Sequence, residues 1–154
     1  MPELDFALLG DYVRAEGGIA HVIAGGIDTI YAPVVPTGQN LGLLFRILFS
    51  RTECDRPHRL EVIFQDEDGA RLTQISSAVT PVWSEGQPAH WKKGLLGGFN
   101  FGVPLPRYGL YSFEMMVNDN LLKSLPLRVV ERAMPEGFEI PEAPPFPDEP
   151  NDEG

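Results

Sequence analysis

The stretch DRPHRLEVIFQDEDG, Asp55 to Gly69, gathers one histidine, five acidic residues and two arginines. Carboxylates at this density could hold calcium, which takes about six to eight oxygen ligands, usually from two or three loops of a β-sandwich. Asp66, Glu67 and Asp68 would form the centre of such a site, with Asp55 as an outlying candidate. No second loop is comparably acidic, and the alternating carboxylates and closing glutamate of a helix–loop–helix calcium loop are missing. The segment reads instead as one strand and its turn. Leu60, Val62 and Phe64 alternate with Arg59, Glu61, Ile63 and Gln65, and Asp68-Gly69 suits the left-handed step of a hairpin. Pro57 biases Arg56 towards extended backbone and opens the strand.

The remaining candidates are scattered. His21, His58 and His90 fall in different elements with no metal-ligand spacing, so no metal site is expected and the histidines read as hydrogen-bonded structural residues. Cys54 adjoins Asp55, whose charge opposes the thiolate that a nucleophile needs. GLLGGFNFG, Gly94 to Gly102, lacks the phosphate-loop lysine and the dinucleotide spacing, and is expected to be a strand with bulges or a bend. No catalytic residue and no cofactor emerges.

Two stretches could carry binding. In PVWSEGQPAHWKKG, Pro81 to Gly94, Trp83 and Trp91 could offer flat faces to a sugar or nucleotide, with His90, Lys92 and Lys93 as polar contacts. Against this, tryptophans in such loops commonly cap the end of a sandwich core. Further on, Phe138, Ile140 and Phe146 punctuate FEIPEAPPFPDEP, whose prolines favour an extended segment able to dock on a partner. The competing expectation is a solvated, disordered tail.

These residues must be positioned by strands. Leu43, Phe45, Ile47 and Phe49 alternate with Leu44, Arg46 and Leu48, and Tyr111, Phe113, Met115 and Val117 alternate with Ser112, Glu114 and Met116. Period two places each set on one face of a sheet. Both faces of the first strand are apolar, which predicts a central or doubly covered strand. Breakers divide the chain into about eight strands, near 4–14, 19–32, 41–53, 58–66, 70–80, 96–103, 110–118 and 121–130. Asn118-Asp119-Asn120 predicts a tight hairpin, and Gly25-Gly26 predicts a bulge or bend. The fold expected is all-β: an antiparallel sandwich of seven or eight strands, immunoglobulin-like in general architecture, over residues 1–130. Residues 131–154 form an acidic, proline-rich tail.

Four stretches carry a resemblance: ALLGDYVRAEGG, HVIAGGID, RPHRLEVIFQDEDG and RYGLYSFEMMVND. In this order and spacing they resemble an uncharacterised family of small bacterial proteins known only as a domain of unknown function, over about residues 4–130. Gly10 stands where that pattern suggests alanine. The resemblance implies a compact single domain and supplies no catalytic residue.

Composition narrows the function. The net charge of −10 is uneven: Glu131 to Gly154 holds eight carboxylates and one arginine, about −7, leaving −3 for residues 1–130. Such a chain lacks the basic stripe of a nucleic-acid binder. No apolar run is long enough to span a bilayer, and the acidic start MPELDFALLG is unlike a signal peptide. One cysteine allows no internal disulfide, which favours the cytoplasm. The leading expectation is a non-enzymatic protein–protein interaction or assembly module, using a strand edge or loop face and capable of forming a homodimer. The alternative is a small-ligand sandwich at the Trp83–Trp91 loop. An enzyme with a hidden catalytic set is the remaining class.

Overall fold

The computed structural model describes residues 1–132. Ten strands follow in order: β1 (Glu3–Gly10), β2 (Tyr12–Glu16), β3 (Ile19–Ile23), β4 (Thr29–Ala32), β5 (Thr37–Phe49), β6 (His58–Asp66), β7 (Arg71–Val79), β8 (Lys93–Leu105), β9 (Gly109–Val117) and β10 (Asn120–Glu131). They form a three-stranded sheet, β1-β5-β8, a five-stranded sheet, β4-β10-β9-β6-β7, and the separate hairpin β2-β3. The two larger sheets stack face to face. Leu43, Phe45, Ile47 and Phe49 of β5 meet Leu60, Val62 and Phe64 of β6 and Tyr111, Phe113, Met115 and Val117 of β9 in one core. Alternation in the sequence is thus the alternation of the core, and the chain is an all-β sandwich.

Phe113 ties the layers. Its ring lies 4.7 Å from Phe64 in its own sheet and 5.6 Å from Phe101 in the opposite one. Next to it, the Tyr111 hydroxyl donates to the Arg107 carbonyl at 2.6 Å and accepts the Arg107 N–H at 3.2 Å. A tyrosine at the start of a strand that bonds back to the preceding backbone is the tyrosine corner of immunoglobulin-like sandwiches.

The count rises from eight strands to ten because two expected strands each break in two. At Gly10 the chain leaves the first sheet, Asp11 N–H bonds Ile23 O at 2.9 Å, and β2 and β3 fold as a hairpin. A Cβ on Gly10 would sit 2.8 Å from Val22 Cγ2 and 2.9 Å from Ile23 O, so the glycine that departs from the family pattern is needed here. The second break falls at Ala24 (φ 53°) and Gly26 (φ 86°), beside the expected bend. Beyond it, β4 pairs with β10 in parallel, the one departure from an antiparallel arrangement among the described residues.

β5 is central, as its two apolar faces require. Its outward Leu44 is buried because Val13 of the hairpin covers that face, and Asn100 fixes the cover: its Oδ1 accepts the Val13 N–H at 2.9 Å and its Nδ2 donates to Val13 O at 2.7 Å. The bulges expected in GLLGGFNFG do not occur, since β5 and β8 pair without a register shift from Thr37↔Leu105 to Phe49↔Lys93. Its glycines make room for neighbours instead. A Cβ at Gly97 would meet the Phe45 ring at 2.6 Å, and one at Gly98 would meet Val13 Cγ2 at 3.0 Å.

Candidate functional site

The acidic turn is a structural device. Buried Asp66 closes it, with Oδ1 accepting the N–H groups of Asp68 at 3.0 Å and Ala70 at 2.9 Å. Its Oδ2 and the Asp68 carboxylate both pair with Arg107, at 3.1 Å and 2.9 Å. Gly69 takes the left-handed backbone (φ 81°) that the Asp-Gly pair promised. The same holds across the β9–β10 turn, where Asn118 (φ 50°) and Asp119 (φ 66°) are both left-handed.

His58 is the structural histidine expected. It is buried, with Nε2 2.6 Å from Glu53 O and Nδ1 2.8 Å from Asn118 Nδ2. The amide donor facing Nδ1 and the carbonyl facing Nε2 select the tautomer protonated on Nε2. His21 and His90 differ from expectation, since both are exposed at the surface. Edge position on a small hairpin accounts for the first, and the β7–β8 loop for the second. Among the described residues no three His, Cys, Asp or Glu side chains converge as a metal site would need. Burial, with the Asp55 charge added to it, pushes the Cys54 thiol up from its ordinary value.

Glu53, beside His58, is the one buried carboxylate on the short turn after β5. Burial raises its pKa, but the Ser50 N–H and hydroxyl, each at 2.8 Å, and the amino-terminal ammonium at 3.2 Å hold it below the ordinary value. A depressed carboxylate contributes stability that is present above its unfolded pKa, about 4.3, and lost as pH falls through the folded value. Glu53→Gln is therefore expected to cost about 1–2 kcal/mol at pH 7. In thermal melts from neutral to acid pH its deficit against the wild type should begin to narrow as pH falls below the unfolded pKa and close only once pH has passed below the depressed folded value. A deficit independent of pH would contradict this.

The two tryptophans do not form one site. Trp83 is half-buried against the core with the Arg51 guanidinium 5.7 Å from its ring centre, the capping role expected of such a residue. Trp91 is 60% exposed, with His90 edge-on at 6.5 Å. Lys92 is paired with Glu3, and Lys93 donates to the Ser84 hydroxyl at 2.8 Å. Trp91, Arg46, Lys92 and Lys93 line an open depression of about 490 Å³ that Trp83 does not reach. Phe138, Ile140 and Phe146 lie outside the described residues.

What sequence reading missed is the free edge of the five-stranded sheet. Among the described residues β7 pairs with β6 alone, from His58↔Val79 to Phe64↔Thr73, after which one register shift precedes Gln65↔Arg71. Gln74, Ser76 and Ala78 point outward and are exposed, while Ile75 and Val79 lean on the core. From Leu72 to Thr80 there is no charge and no proline, the devices that normally keep an edge from pairing. Two other edges of the large sheets carry such devices. β1 has Glu3, Asp5 and a bulge between Leu4 and Phe6, and β4 is four residues long, whereas β8 is bare from Gly94 to Val103 and the hairpin strand β3 has neither charge nor proline. The signal was present in LTQISSAVT, but only the topology says that this strand is outermost.

No curated protein matches the chain. Among solved structures, the crystal structure of the C-terminal domain of wzt is similar over 86% of this chain and 75% of that one, at 16% identity and a TM-score of 0.44. A model of DUF6941, a family of unknown function, matches residues 5–130, nearly the span over which the four quoted stretches show their resemblance. The chain belongs to this family of unknown function.

Proposed function

We propose that this chain is a non-enzymatic protein-interaction module that works by accepting a strand at the free edge of β7. The observation that carries the reading is the uncharged, proline-free run Leu72–Thr80 on an outermost strand whose outward side chains Gln74, Ser76 and Ala78 are exposed. Its outward N–H and C=O groups can bond an extended partner, and alternate side chains can set its register. The reading places the chain in the cytoplasm, which suits a single buried free cysteine. Among the described residues no helix is long and apolar enough to cross a membrane.

The test introduces lysine where the side chain already faces solvent. Ser76→Lys with Ala78→Lys should leave the melting temperature within about 3 °C of wild type, as surface changes do. In pull-downs from the native cell, a partner retained by the wild type should be lost from the double variant. Equal retention by both would remove the edge from consideration. A second reading, a small-ligand site, is favoured by one observation: exposed Trp91 beside the Arg46, Lys92 and Lys93 cations in an open depression.

A further inference from the structure

We infer that the strand received at β7 is β7 of a second copy, laid antiparallel about a two-fold axis at Ser76. This rests on the reading of β7 as a pairing edge and adds its partner and register. A two-fold pair of antiparallel strands opposes residue 76 + k to residue 76 − k, so the contact is isologous. Two features of the sequence share this centre. Arg71 and Pro81, the charge and the proline that bracket the bare run, are equidistant from Ser76. The stretch paired with β6 without a register shift, Thr73–Val79, also has Ser76 at its midpoint. The axis there sets Gln74 against Ala78, Ile75 against Ser77 and Thr73 against Val79, with no charge in the ladder. Centring on Ile75 would bring Arg71 opposite Val79, and centring on Ser77 would bring Pro81 opposite Thr73, where a backbone donor is lost. Outward side chains stay outward, and the half-buried Ile75 and Val79 gain cover at the open end of the core. A chain of net charge −10 resists self-association, so an edge without charge is the place where two copies can meet at least electrostatic cost.

The register is testable with single cysteines in the full chain, because the native Cys54 is buried. Directly opposed residues in an antiparallel pair have Cα atoms about 4.5–5.5 Å apart, inside the range a disulfide bridges. Under mild oxidation with oxidised glutathione, Ser76→Cys should yield a covalent dimer. Gln74→Cys or Ala78→Cys alone should not, since identical positions two residues off the axis are displaced by about 13 Å along the strands. An equal mixture of those two variants should cross-link. In sedimentation equilibrium Ser76→Lys, which sets two like charges face to face, should raise the dissociation constant about fivefold. Cross-linking of Gln74→Cys with itself would overturn the register. A wild-type chain that stays monomeric up to about 100 µM, where micromolar contacts are saturated, would overturn the second copy as partner. If pull-downs still lose a partner on lysine substitution, the edge reading survives that result. A dimer whose mass ignores Ser76→Lys would overturn β7 as the surface where two copies meet.

Discussion

Replacing Phe113 by alanine is expected to cost about 3–5 kcal/mol, the range for emptying a well-packed aromatic site. The ring has no solvent exposure, and it is the point where both sheets touch the same side chain. Loss of the ring removes buried apolar area and also leaves a void between Phe64 and Phe101, two rigid neighbours on different sheets. Neither can swing into the gap without leaving its own strand, so the cavity term should persist. In a chain of this size the loss corresponds to a fall of about 10–20 °C in melting temperature. Urea unfolding should show the midpoint shifting with little change of slope, since the surface exposed on unfolding is nearly the same. The comparison is Ile75→Ala at the edge, half-buried, where the strand can settle and the cost is smaller. A Phe113→Ala chain as stable as wild type would mean that the sheets do not stack through this ring.

Phe113 also marks how far the order of residues alone can carry. Its place in the alternation YSFEMMV fixes its face, because side-chain direction is a property of two neighbouring residues and needs no long-range information. The turns Asn118-Asp119 and Asp68-Gly69 were legible for the same reason: a left-handed backbone is a local demand met by local chemistry. What was hidden depends on residues far apart. The paired hydrogen bonds of Asn100 to Val13 join positions 87 residues apart, and nothing near Asn100 marks it as a hairpin anchor. The parallel pairing of Thr29–Ala32 with Arg128–Glu131 is equally non-local. The candidate edge falls between these cases. Its composition is local and visible, whereas its position at the rim of a sheet is decided by the order β9-β6-β7, which periodicity cannot supply.

That order also bears on assembly. An edge strand is costly to leave bare in any protein that spends its life at high concentration, and here β1 is blunted by charge and a bulge and β4 by brevity. Leaving β7 bare over nine residues is consistent with use. The core does not ask for it, because Gln74, Ser76 and Ala78 contribute nothing to the buried cluster and lysine at these points would be tolerated. Selection for stability alone would be indifferent to these three positions, so their lack of charge is the feature that the pairing hypothesis explains.

Gly42→Val is expected to release the β2-β3 hairpin. By intrinsic preference valine suits a strand far better than glycine, so propensity alone predicts stabilisation. Packing decides the opposite. A Cβ at this position would lie 2.8 Å from Val13 N and from Asn100 Oδ1, and 2.9 Å from Val13 Cγ1, so backbone rather than a pliable side chain blocks it. The hydrogen bonds between Asn100 and Val13 run directly over the site, and the hairpin has to lift for the new methyls to fit. Its loss uncovers Leu44 and frees both Asn100 bonds, for a cost of about 2–4 kcal/mol. Hydrogen exchange should show the amides from Tyr12 to Ile23 opening about a hundredfold more readily, while those of β6 and β9 follow only the global change. Asn100→Ala should loosen the same segment, and the double variant should be far less damaged than the sum of the two, since both remove one seat. Additive effects, or a hairpin still protected in Gly42→Val, would show that β2 is held by something other than this glycine-floored contact.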